Sequence, residues 1–210
     1  MFIGHLIGAE LANALTPQTP LWVSLTGTSF PDLLWGVTVH VGLEKVEIDP
    51  ASPLQSRIRF VYYPYSHSLV LGNILASLPA TLIGIYCHSV TAAFVFVLAS
   101  VSHWLLDAIV HLPDLPVLGF GEDVKVGLGL WRHGPLAFAL EYGLVVASTL
   151  ALQPKRLWPA ILIASFVFHA ANANTFFGFT RTNPVKSSRS YATMALVGFV
   201  ALILVFDWIL

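Results

Sequence analysis

Seven apolar stretches, most of them near the length of helix that crosses a bilayer, take up the greater part of this 210-residue chain. They cover residues 2–15, 21–43, 66–86, 90–110, 134–152, 157–179 and 191–209, the first short enough to be tilted or half-buried. Backbone that enters hydrocarbon must satisfy its own N–H and C=O groups, and for single apolar runs helix is the solution. Prolines fall in the connections, at Pro17 and Pro20, Pro50 and Pro53, Pro113 and Pro116, Pro154 and Pro184. The expected fold is all-α, a polytopic integral membrane bundle of about six or seven transmembrane helices. It forms a single domain over residues 1–210, with no internal repeat or low-complexity tract.

Composition agrees. The chain is 56% hydrophobic and 10% charged, with a mean hydropathy of +0.77, where a soluble domain carries about 25% charged residues. A net charge of −1 and scattered basic residues argue against nucleic acid as a partner. The single cysteine, Cys87, rules out an intramolecular disulfide and Cys-rich zinc modules, so any metal is held by nitrogen and oxygen. Residues 1–15 carry no Lys or Arg and lack the basic opening of a secretory signal, so this segment is expected to stay on the chain.

Basic residues then set an orientation. If all seven stretches cross, Lys45, Arg57, Arg59, Lys125, Arg132, Arg181, Lys186 and Arg189 share one side, opposite Lys155 and Arg156. The positive-inside rule makes the richer side cytoplasmic. His5, His67, His103, Asp107, His111, Asp114 and His133 all map toward that face.

Ionisable groups at bilayer depth are costly and are expected to face a protein interior or wet cavity. His103 and Asp107 stand four residues apart in Ser102-His103-Trp104-Leu105-Leu106-Asp107, so they share a helix face and can converge on one point. A divalent metal ion is the simplest such point, and a structural His–Asp hydrogen bond is the alternative. Asp32 follows Pro31, which can distort or end a helix; the carboxylate then reads as a ligand, an N-cap, or both. Tyr65-Ser66-His67-Ser68 reads as a ligand-bearing helix start capped by Ser66 or as an interfacial loop with a solvated His. His111 continues the face of His103 and Asp107 by one turn, and is a ligand, a proton donor or a solvated boundary residue.

Blander readings fit other polar groups. Glu141 is expected in a buried pair with a neighbouring helix, and His169, with Asn172 and Asn174, in a polar cavity or interhelical hydrogen bonds. His40 and His88 fall at membrane edges, while Tyr62, Tyr63, Tyr65 and Trp131 fit an interfacial aromatic belt. No nucleophile elbow, phosphate-cradling glycine loop or His-Glu-x-x-His motif is present.

Gly4-His5, Phe30-Pro31-Asp32, Ser66-His67-Ser68-Leu69 and Ser102-His103-x-x-x-Asp107 follow the order and approximate spacing of a family pattern. Over residues 1–120 the chain resembles bacterial inner-membrane proteins classed as membrane-bound metal-dependent hydrolases. Their pattern is a Gly-His near the N-terminus, Pro-Asp-x-Asp, Arg-Gly-x-Thr-His-Ser and Ser-His-x-x-x-Asp. The resemblance implies that His5, Asp32, His67, His103 and Asp107 are the conserved polar positions and that the protein sits in the bacterial inner membrane. Two positions depart from it. Leu34 replaces the second acid, and Tyr63-Pro64 replaces Arg-Gly, with Ser66 in place of Thr.

The expected function is hydrolysis of an ester or phosphoester in a lipid or other membrane-resident substrate at the cytoplasmic interface. His67, His103, Asp107 and Asp32 are the candidate ligands of a divalent ion, zinc or manganese, to which such donors are suited. Asp32 doubles as general base, and His5 or His111 protonates the leaving group. The alternatives are a transporter moving protons or metal ions through the same groups, and a non-catalytic membrane scaffold.

Overall fold

Helix α2 (Leu21–Val41) is the element around which the others are arranged in the computed structural model, which describes residues 1–210. It packs against α1 (Leu6–Leu15), α3 (Pro64–His67), α4 (Leu71–Tyr86), α5 (Val90–Val110) and α9 (Ser188–Ile209). The second group of helices, α6 (Gly134–Leu152), α7 (Trp158–Ala171) and the short α8 (Asn174–Phe177), joins the first through α1 and α9. The chain is thus all-α, with nine α-helices and two small hairpins that sequence patterning did not reveal.

Helix lengths correct the expected count of six or seven spans. Three helices, α5, α6 and α9, are long and apolar enough to cross a membrane. The stretch 2–15 becomes a 3₁₀ turn at Ile3–His5 followed by the ten-residue α1. The stretch 66–86 breaks where Ser68 turns extended, giving α3 and the 16-residue α4. The stretch 157–179 divides into α7 and α8. α2 has the length but buries eleven of its 21 residues and carries hydroxyls and Asp32, as a helix surrounded by protein does. Pro31 does not break it, so Asp32 is not an N-cap.

Small residues let the inner helices touch. A Cβ on Gly27 of α2 would lie 2.7 Å from the Phe96 carbonyl oxygen of α5, and one on Gly8 of α1 would collide with Ser102 Oγ. Close approach through glycine is the common device of helix packing in membranes. Here it brings α1, α2 and α5 into close contact, α2 carrying Asp32 and α5 the neighbouring His103. Apolar side chains fill the remainder, with Ile3, Leu6, Leu25, Leu202 and Phe206 forming one buried core. Large apolar residues such as Leu82, Phe94 and Leu204 stay exposed on the outer faces.

The connections rich in Lys and Arg pack on one another. β1 (Lys45–Glu47) pairs antiparallel with β2 (Arg59–Tyr62), with Glu47 opposite Arg59. Asn183 N–H donates to the Pro50 carbonyl and Ser188 Oγ to the Val46 carbonyl, tying the last connection to the first hairpin. The second hairpin, β3 (Leu115–Pro116) with β4 (Lys125–Val126), receives the Trp104 indole N–H on the Pro116 carbonyl. Its turn also accepts Val70 N–H and Leu71 N–H on the Val117 and Leu118 carbonyls, anchoring the start of α4.

Candidate metal centre

Four separate segments deliver one polar cluster beneath these connections. His5 comes from the 3₁₀ turn, Asp32 from the middle of α2 and His67 from the end of α3, while α5 contributes His103, Asp107 and its C-capping His111. Every candidate residue expected from sequence, His5, Asp32, His67, His103, Asp107 and His111, therefore lies in one place. His103 is fully buried, and only Asp32, 17% exposed at its side chain, reaches a cavity wall with appreciable surface.

Asp107 is the centre of the cluster. The Nε2 atoms of His103, His5, His111 and His67 lie 3.1, 3.3, 3.6 and 3.7 Å from its carboxylate oxygens. Asp32 lies 3.5 Å from His67 Nε2 and 3.6 Å from His103 Nε2. The α-amino group of Met1 also contacts Asp107.

The other nitrogen of three rings is occupied. His103 Nδ1 donates to the Thr28 carbonyl at 2.6 Å. Ser66 Oγ donates to Glu44 and so presents a lone pair to His67 Nδ1, 2.7 Å away. His111 Nδ1 donates to Asp114 at 3.0 Å, and the same carboxylate oxygen accepts the Tyr63 hydroxyl. A proton fixed on Nδ1 leaves the lone pair on Nε2, which is how a neutral imidazole is oriented toward a metal.

The cluster fits a divalent ion by its orphaned atoms as well as its chemistry. His103 Nε2 and both nitrogens of His5 are buried without a hydrogen-bond partner, a state that native proteins rarely leave unexplained. Two groups of ligand atoms, His5 with His103 and Asp107, and Asp32 with His67 and His103, each lie within 4.8 Å of one another. Imidazoles and carboxylates grouped in this way could hold a divalent metal ion.

Several functional contacts were invisible in sequence. Glu44 is buried, accepts the N–H groups of Tyr65 and Ser66 at 2.8 and 2.9 Å, and so fixes α3 and the Ser66–His67 pair. Its place just after α2, in a polar connection, gave no local signal. Tyr63 and Trp131 are buried beside His111 and do not belong to an interfacial belt; the indole lies 4.3 Å from the His111 ring centroid. Glu141 pairs with backbone, accepting the N–H groups of Phe2 and Gly4.

Other histidines stay outside the cluster. His169 makes the interhelical bond expected of it, to the Phe138 carbonyl at 2.8 Å. His133 and His88 are exposed, and His40 bonds the Gly36 carbonyl of its own helix. Comparison with protein-family models, curated proteins and solved structures found no significant match to this chain.

Proposed function

We propose that the protein is a membrane-embedded, metal-dependent hydrolase. It cleaves an ester or phosphoester of a lipid or other membrane-resident substrate at the cytoplasmic face of a bacterial inner membrane. The observation that carries this reading is the convergence of four imidazole Nε2 atoms on Asp107, with three of the rings held through Nδ1. The resemblance of the His5, Asp32, His67, His103 and Asp107 motifs to membrane-bound metal-dependent hydrolases supports the reaction class.

His67, His103, Asp107 and Asp32 would hold the ion, and the group formed by His5, His103 and Asp107 has the donors for a second. A bound divalent ion, zinc or manganese, supplies Lewis acidity to the scissile group and lowers the pKa of water toward ~7. Asp32, on the cavity wall, would accept the proton of the attacking water. That proton would reach the leaving oxygen through His111 Nε2, which takes it up while Nδ1–H stays on Asp114. His5 stacks on His103 and keeps a free nitrogen in the same space.

Gently purified protein should carry about one or two transition-metal ions per chain, and Asp107→Asn or His103→Ala should carry none. In detergent, with phospholipids or isoprenoid phosphates and added Zn²⁺ or Mn²⁺, the wild type should release product and Asp107→Asn should not. Detergent abolishes any gradient. Absence of turnover there, with metal- or proton-coupled flux in proteoliposomes, would replace the hydrolase with a transporter.

A further inference from the structure

A cavity of about 240 Å³ opens from the cluster, walled on one side by Asp32, His67, Asp107 and His111. The rest of its lining comes from Phe60, Trp131 and Phe176 and from the facing sides of α7 and α9. Phe168 and Ala171 line it from α7, and Met194, Ala195, Gly198 and Phe199 from α9. Met194 with Gly198, and Ala195 with Phe199, are four residues apart and share one face of α9. Ala171 is exposed and Met194 is 46% exposed, so the rim lies on the outer surface of α9, a helix long and apolar enough to cross a membrane. At the inner end Gly198 and Phe2 both line the cavity, and a Cβ on Gly198 would meet the Phe2 ring at 3.3 Å, so a larger side chain there has to turn into the space beside the ring.

An apolar cavity smaller than this one, at ~150 Å³, already stays dry and binds benzene. One with carboxylates and imidazoles on one wall and aromatic and aliphatic groups on the other matches an amphiphile. We propose that the α7–α9 cavity is a lateral binding site for the hydrocarbon chain of a membrane lipid, reached from the bilayer past Met194. This rests on the hydrolase reading, since it places the polar end of the lipid at the His/Asp cluster. Gly198 sets the bulk of chain that fits beside Phe2.

The test uses the full chain in detergent micelles with a lysophospholipid that carries a photoreactive diazirine at the chain terminus. Labelled peptides should map to residues 168–172 and 194–199. Gly198→Leu should lower that labelling by roughly tenfold, with metal content unchanged, because added carbons fill the space the chain uses. Ala195→Leu, at the adjacent position, carries the comparison if Gly198→Leu fails to fold. Equal labelling in wild type and a folded variant, or labelling spread evenly over lipid-facing positions such as Leu82 and Phe94, would overturn the site. Cavity labelling without turnover of any ester would keep the chain site and remove the hydrolase. Turnover of a short-chain soluble ester without cavity labelling would do the reverse.

Discussion

His5 and His103 lie face to face, their ring centroids 3.5 Å apart and their planes 7° from parallel, with both Nε2 atoms within 3.3 Å of Asp107. Two imidazolium ions so stacked would repel strongly in a buried site, whereas two neutral rings can both offer lone pairs. His5→Phe keeps the aromatic face and removes the nitrogens. Metal affinity should fall by about tenfold or more, while the melting temperature stays near that of wild type. Unchanged metal affinity in His5→Phe, read by chelator competition, would reduce His5 to a packing residue.

Ser66 and Glu44 should matter although neither faces the ion. Ser66→Ala removes the acceptor of His67 Nδ1–H, and Glu44→Gln weakens the hold on that hydroxyl. Each should lower metal affinity by roughly 10–100-fold. Asp114→Asn, the equivalent change at His111, should lower turnover more than metal content. Affinities equal to wild type in both Ser66→Ala and Glu44→Gln would show that His67 needs no such support.

Packing at Gly27 offers a steric test. Gly27→Leu puts a Cβ against the Phe96 carbonyl and 2.8 Å from Ala99 Cβ, so α2 and α5 must separate. A loss of about 1–3 kcal/mol in stability is expected, with metal lost as well because Asp32 and His103 ride on those two helices. Gly143→Ala in α6 meets nothing within 4 Å and should stabilise by roughly 0.5–1 kcal/mol, since alanine suits a helix interior better. Chemical denaturation of the three proteins side by side measures both.

Orientation is open to cysteine labelling in a Cys87→Ala background. The hydrogen bonds from Asn183 to Pro50 and from Ser188 to Val46 place two of the basic connections on one face. Ser52→Cys and Thr182→Cys should both resist an impermeant thiol reagent in intact cells and react once the cells are permeabilised. Reaction of Ser52→Cys or Thr182→Cys from outside would invert the protein and its site.

The β3–β4 turn should loosen in acid. Slight burial raises the Asp123 carboxyl, but N–H groups of Leu118, Gly119 and Val117 donate to it and hold its pKa below the ordinary 3.8. The carboxylate's contribution is therefore complete above the unfolded value and disappears as pH falls through the lower folded one. Hydrogen exchange should show Leu118 and Gly119 amides losing protection only in that acid range, and at neutral pH in Asp123→Asn. Protection at neutral pH unaltered by Asp123→Asn would assign the turn's order to its backbone pairing alone.

The sequence by itself determined the apolar character of the chain, its helical class and, through their four-residue spacing, His103, Asp107 and His111; His5, Asp32 and His67 are singled out by the motifs that carry the resemblance. The first of these follow from local physics. Apolar runs can satisfy their backbone only as helix, and His103 and Asp107 four residues apart in such a run must meet something polar. Tertiary structure decided where helices stop, because Ser68 turns extended so that His67 can face Asp32, and α4 then starts from hydrogen bonds to a hairpin some fifty residues downstream. It decided which atoms hold each ring, since the Thr28 carbonyl, Glu44 behind Ser66, and Asp114 with Tyr63 carry no pattern a local reading could find. It also buried Tyr63 and Trp131, whose composition alone suits the membrane surface, because their neighbours come from distant segments. A contact between residues far apart in the chain is set by the packing of whole helices, and no single segment contains that information.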